Sequence, residues 1–382
     1  MNATERRLTP LVILLLLALL VAVLAGWVMD RVNREVAGPG ATLAPDEVIR
    51  WKLVTTWPKN FPGLGLGPEN FARLVKEMSG GRLQIQVYGG GEIVPPFGVF
   101  DAVSQGVAEM GHGAGYYWTG KVPSAVFFTA VPFGFTADEA SAWMHYGGGL
   151  ELWRKAYAPF NLIPLAGGNS GTQMAGWFNK EINSIEDLQG LKMRIPGLGG
   201  EVFSRAGGTA VTIPGGELYT SLQTGVIDAT EWVGPYNDLA MGLHEVAEYY
   251  YYPGWQEPGP VLEFIVNADA FASLPADLQA IVESAARYVN QDMLDEYTAR
   301  NNRALKELVE VHGVKLRRLP DDVIIALKQA AKEAVEELAA SDPMAAEAYA
   351  SFAEFYEGVK NYHSISEQAY INARDLEADP GQ

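Results

Sequence analysis

The chain has 382 residues, a formal charge of -18 and no cysteine, which excludes disulfides, thiolate metal sites and a cysteine nucleophile. No basic stretch offsets that negative surplus, so nucleic acid would be repelled. A composition 48% hydrophobic and 19% charged is that of a globular protein, and the length exceeds one ordinary core, so two domains are expected.

Arg6 and Arg7 precede an unbroken apolar run from Leu11 to Met29, which Asp30 and Arg31 end. About 20 apolar residues cross a bilayer, whereas a cleavable signal has an apolar region of roughly 7–15. The length favours an uncleaved anchor over a signal peptide, with Ala22, Ala25 and Gly26 as the alternative cleavage region. Trp27 stands where a lipoprotein would carry its lipidated Cys. The basic flank places the N-terminus in the cytoplasm and everything after about Asn33 outside it. Val36 to Pro45 reads as a flexible tether. The expected location is the periplasm or the outer face of the cytoplasmic membrane.

Val48 to Val54 is predicted to be a first strand, leading into the loop Thr55-Thr56-Trp57-Pro58. In open α/β sheets, ligands sit at that carboxyl end. Pro68 to Met78 has helical spacing and stops at Gly80-Gly81, and Leu83 to Tyr88 alternates as a strand. Strand, helix, strand in this span is a βαβ unit, which implies a parallel sheet. Phe100 to Glu109 is echoed by Tyr219 to Asp228: each is a short helix, a Gly stop (Gly106, Gly225) and the start of a strand. The echo suggests two similar lobes with a cleft between them. Asp277 to Val311 is a long helical pattern without internal Pro or Gly, and further helices follow from Pro320 to about Ala340 and from about Met344 to Val359.

Arg194 ends a short strand, Lys192 to Ile195, beside Pro196 and several Gly. Its fork suits bidentate binding of a carboxylate, with a structural salt bridge as the alternative. Glu231 ends the strand Val226 to Thr230, beside Trp232, and suits a cation, a substrate hydroxyl or a solvated rim. Asn169 and Gln173 are neutral amides in a Gly-rich stretch, suited to hydrogen bonds or hard-cation ligation. Glu257 lies in a further loop that could face the cleft. His112, His145, His244, His312 and His363 form no metal-spaced pair, and no phosphate loop, dinucleotide fingerprint or HExxH element is present. An enzymatic role has no acid–base pair to support it.

From about Trp51 to Arg374 the chain resembles the solute receptors of tripartite ATP-independent periplasmic (TRAP) transporters, and most closely their 2-oxo and 2-hydroxy monocarboxylate branch. The resemblance rests on Tyr116-Tyr117-Trp118, Gly168 to Phe178, Asp187 to Gly197, Glu217-Leu-Tyr219 and, most specifically, Gly225 to Pro235. It implies a two-lobed α/β periplasmic-binding fold with a long lobe-spanning helix and C-terminal helices. Arg194 would clamp the carboxylate, and Tyr116, Tyr117, Asn169, Gln173 and Trp232 would contact the ligand. A metal cation, calcium or sodium, would be held by Gln173, Glu231 and the Trp232 carbonyl, to which Glu257 is added. The implied partners are a small 2-oxo or 2-hydroxy acid such as pyruvate or lactate, the membrane permease, and a second copy exchanging a C-terminal helix. A membrane-tethered sensor of organic acids is the alternative. The expected division is residues 1–46 as anchor or signal and linker, 47–165 as the first part of lobe I and 166–256 as lobe II. Residues 257–319 would return to lobe I and form the spanning helix, and 320–382 would be a C-terminal helical region.

Overall fold

The computed structural model describes residues 48–376, so the apolar run and the tether lie outside the described residues. No helix among the described residues is long and apolar enough to cross a membrane. Apart from 275–277, the described residues form one compact unit. Its strands are β1 (Ile49–Thr55), β2 (Leu83–Tyr88), β3 (Met110–Gly113), β4 (Leu162–Asn169), β5 (Gly176–Phe178), β6 (Lys192–Arg194), β7 (Thr209–Val211), β8 (Ala229–Thr230), β9 (Tyr249–Tyr252), β10 (Val261–Asn267) and β11 (Lys315–Arg318).

Two sheets result. The first has the order β2-β1-β3-β10-β4 and the second β11-β9-β5-β8-β6-β7. The βαβ unit forms where the periodicity placed it: β1 pairs in parallel with β2, and the intervening helix Leu66–Met78 buries Phe71, Ala72 and Val75. Gly80 and Gly81, both with positive φ, end that helix as only glycine does without strain. The expectation of a parallel sheet holds only in part. β1 is also parallel to β3, but β10 runs antiparallel to both β3 and β4. β10 comes from a later stretch of chain that has already visited the second sheet, so its direction is set by the return path and not by a local crossover.

The echoed segments occupy equivalent places in the two sheets. The helix Val99–Ser104 leads through Gly106 to β3, and the helix Leu218–Gln223 leads through Gly225 to β8. The second copy's strand is shorter than expected, Ala229–Thr230 only, because Val226 and Ile227 still bond back to the Ser221 carbonyl.

The helix Ala276–Glu310 is 35 residues long, roughly 50 Å at 1.5 Å per residue. It reaches both halves. Asn290 Oδ1 accepts from Gly168 N at 3.1 Å in β4, while Asn301 Oδ1 accepts from Tyr236 N at 3.0 Å and Tyr297 OH donates to Asn237 at 2.7 Å beyond β8. The helices Asp321–Ser341 and Pro343–Ile365 follow, and a further helix, Glu367–Arg374, lies within the expected C-terminal helical region although the periodicity does not mark it individually. Phe352, in the second of these, packs on Phe135 (ring centroids 4.2 Å apart) and edge-on to Trp143 (5.7 Å), which fastens that helix to the first sheet's helices.

Candidate ligand-binding site

Two segments cross side by side between the sheets: 169–176, leaving β4 for β5, and 252–261, leaving β9 for β10. Gln173 N donates to the Glu257 carbonyl at 3.2 Å, and Gln256 Nε2 donates to the Met174 carbonyl at 2.8 Å. Hinge closure, where two lobes close on a ligand, is absorbed by a few loop or element-terminal residues such as these connections supply.

Arg194, at the end of β6, is fully buried. Its Nη1 forms an ion pair with Glu231 Oε1 and also donates to the Glu231 carbonyl at 3.3 Å. Nε donates to the Ile213 carbonyl at 3.1 Å, and Nη2 to Tyr117 OH at 3.2 Å. Burial works against its charge, but Glu231 and the two tyrosines outweigh it and hold the guanidinium protonated above its usual range. The sequence left Arg194 open between clamp and salt bridge, and the pairing with Glu231 realises the second geometry in this conformation. The guanidinium also lies over the Trp232 ring, 5.4 Å from its centroid.

Glu231 and Glu257 are buried carboxylates. Burial pushes Glu231 up to about 7, with Arg194 pulling it back and Asp238 adding to the rise. Burial and then the charge of Glu231 push Glu257 well above the carboxylate range. Gln173 Nε2 donates to Glu257 Oε2 at 2.8 Å and to Ser170 Oγ at 3.2 Å, leaving its buried Oε1 without a partner. An orphaned amide oxygen beside two carboxylates that resist ionising is a hard-oxygen set short of positive charge. A calcium or sodium ion therefore fits these donors, although no group of three His, Cys, Asp or Glu with metal-binding geometry occurs among the described residues.

Tyr116 and Tyr117 sit on the turn Gly115–Trp118 of the first half. Gly197, just after Arg194, has φ of +60°, and a Cβ there would lie 2.8 Å from Tyr116 Cβ, so only glycine permits this approach of the halves. Trp232 is buried, its indole N–H without a partner. Asn169 is placed differently from the other expected contacts. Its Oδ1 accepts from Gly171 N at 2.8 Å and its Nδ2 donates to the Gly259 carbonyl at 3.3 Å, so the amide braces the crossing segments.

A small cavity of about 10 Å³, on the scale of a single water-sized body, is lined by the polar Arg194, Gln173 and Ser170, the apolar Leu64, Val233 and Leu262, and the aromatic Trp57, Tyr116, Tyr117 and Trp232. The sequence reading missed Trp57, Leu64, Ser170 and Leu262. The loop after β1 had been marked as a ligand-facing end, and its aromatic residue was the available signal.

A buried guanidinium and an oxygen-rich cluster enclosed between two sheets joined by paired crossings are the arrangement of a solute-binding protein. Residues 53–342 match the bacterial extracellular solute-binding proteins, family 7 (DctP), and the chain belongs to that family. It is 44% identical over 324 residues to the monocarboxylate 2-oxoacid-binding periplasmic protein of Nostoc sp., covering 85% of this chain and 88% of that one. A TRAP periplasmic solute-binding protein of Pseudoalteromonas atlantica, solved with sodium and pyruvate, superposes with a TM-score of 0.83 at 45% identity, over 87% of this chain and 100% of the other. A counterpart from Colwellia psychrerythraea, solved with calcium and pyruvate, gives 0.83 at 46% identity, over 86% and 100%. These relatives are solute-binding receptors of transporters, not enzymes, and they do not favour the sensor alternative.

Proposed function

We propose that this protein captures a short 2-oxo or 2-hydroxy monocarboxylate of the pyruvate and lactate class and delivers it to a TRAP permease. The observation that carries the reading is the buried Arg194 guanidinium at the cavity wall beside the unpartnered Gln173 oxygen. The ligand carboxylate takes donors of Arg194, with Tyr117 aligned on the same guanidinium. Gln173, Glu231, Glu257 and the Trp232 carbonyl hold a calcium or sodium ion, which supplies the positive charge that lets an anion lie beside two carboxylates. Tyr116 and Trp232 close over the ligand, and Asn169 acts by fixing the crossing segments. The pyruvate-bound relatives support this assignment.

In this reading, residues 47–165 and part of 257–319 form lobe I, 166–256 lobe II, and 320–382 the C-terminal region. Binding across the cleft shifts the population toward the closed form, and the exclusion of water strengthens each ionic contact. The N-terminal run tethers the receptor to the outer face of the cytoplasmic membrane. A second copy docks on the C-terminal helices, where Tyr362, Ile365, Tyr370 and Leu376 are exposed. Calorimetric titration with pyruvate and lactate, in calcium, in sodium alone and after chelation, tests the reading. Binding without turnover that weakens on chelation supports it, and no heat with either acid sinks it.

A further inference from the structure

His112 and Trp57 have no place in the residue set assigned above, yet together they form a buried relay ending at the cavity. His112, in β3 opposite Thr55 of β1, is completely buried. Its Nε2 meets the Gly167 carbonyl at 3.1 Å, and its Nδ1 meets Trp57 Nε1 at 2.8 Å. A carbonyl can only accept and an indole N–H can only donate, so the ring is the neutral Nε2–H tautomer. Burial agrees, lowering its pKa to about 4.

The Trp57 backbone is equally fixed. Its N–H donates to Thr55 Oγ1 at 2.8 Å and its carbonyl accepts from Gly90 N at 2.8 Å. The indole therefore forms a rigid part of the cavity lining, which it shares with Leu64 and Leu262 and with the polar Arg194, Gln173 and Ser170. It meets Trp232 of the second half edge-on at 6.1 Å and Tyr117 of its own half at 6.0 Å. A carboxylic acid held by its charged end on Arg194 within this cavity leaves its C2 substituent to the side chains that share the lining, Trp57 among them.

We propose that Trp57, held in place by His112, is the residue that limits ligand length, restricting the receptor to acids with a one- or two-carbon substituent. The proposal rests on the carboxylate-receptor reading and adds the determinant of chain length to it. Trp57 is the contact residue. His112 is a positioning residue that acts through it.

The test uses the full chain and two probes, pyruvate and 4-methyl-2-oxopentanoate, titrated calorimetrically. The unaltered protein is expected to prefer pyruvate by about 100-fold, the scale of discrimination a close-fitting apolar wall supplies. In Trp57→Ala the ratio falls below about 10, with the longer acid gaining affinity. Where that variant melts, Trp57→Leu, which keeps an apolar side chain in place, carries the same expectation. His112→Phe leaves the indole N–H without an acceptor and lowers the ratio in the same direction. His112→Asn, whose amide oxygen can accept, restores it. A purely structural His112 would alter melting temperature and leave the ratio of the two acids unchanged, which overturns its part. Equal affinity of the unaltered chain for both acids, or an unchanged ratio in the Trp57 variants, overturns the length limit while the receptor reading stands. Binding of neither acid by the unaltered chain removes the receptor reading itself, and the proposal with it.

Discussion

Replacing Glu263 with Gln should remove one component of the pH dependence of stability, isolated as the difference between variant and parent. Glu263 lies mid-strand in β10, opposite Gly113 and Ala166, and is fully buried. Tyr157 OH donates to its Oε2 at 2.9 Å while Oε1 has no partner. Burial pushes its pKa from 4.5 to about 8, against the opposing pull of hydrogen bonds from Tyr157 and Trp118. The folded chain therefore keeps a proton that the unfolded chain releases above about 4.5. Stabilisation from this group is complete below that pH and declines by about 1.4 kcal/mol per unit as pH rises. It is lost by about pH 8, a total of about 5 kcal/mol. Gln keeps the shape and can still accept from Tyr157, but it does not titrate. The melting temperature of the variant minus that of the parent should be near zero at pH 5 and climb to about 10 °C at pH 8, then level off. Burial lowers His112 to about 4, which removes stability on the acid side of 6.5, but that loss is common to both proteins and cancels in the difference. Differential scanning calorimetry at unit steps from pH 5 to 9 measures it. A difference that stays constant with pH would show that Glu263 is charged in the folded chain and refute the reasoning.

Arg194→Ala should raise the pyruvate Kd by at least about 100-fold in a calorimetric titration, since it removes charge-assisted hydrogen bonds of about 1.5–3 kcal/mol each. Gln173→Ala should abolish most of the difference in pyruvate affinity between calcium-supplemented and chelated samples, and an unchanged difference would place the ion elsewhere. Gly197→Ala introduces a Cβ 2.8 Å from Tyr116 Cβ at a φ of +60°, so small-angle scattering at saturating ligand should show a more open average shape than the parent. Phe352→Ala should cost about 3–5 kcal/mol in urea unfolding by emptying the cluster with Phe135 and Trp143.

Much of the local structure was legible because its causes are local. The alternation of Leu83 to Tyr88 and the Gly80-Gly81 stop placed β2 and the end of the helix before it at their observed bounds. Period and glycine likewise exposed the repeat around Gly106 and Gly225 and the long helix. Within the expected C-terminal helical region, the bounds of the helix Glu367–Arg374 are not legible, because it buries no residue and so leaves no apolar stripe to read. At the site, residue chemistry pointed to Arg194, Gln173, Glu231 and Glu257, and the structure brings these four together. It could not separate Asn169, whose amide serves the backbone, from Gln173, whose oxygen is left unpaired, since both are amides in one Gly-rich stretch.

The sequence by itself determined the hydrophobic periodicities, the glycine positions where no other residue fits, and the donors available for a carboxylate and a hard cation. These follow from side-chain chemistry and from dihedral limits that act over a few residues. Tertiary structure alone decided that β10 runs against its neighbours, that Arg194 pairs with a carboxylate 37 residues away, and that Trp57 leans on a histidine 55 residues away to wall the cavity. Each of these depends on register and on the path of the chain between the two sheets, which no local pattern encodes.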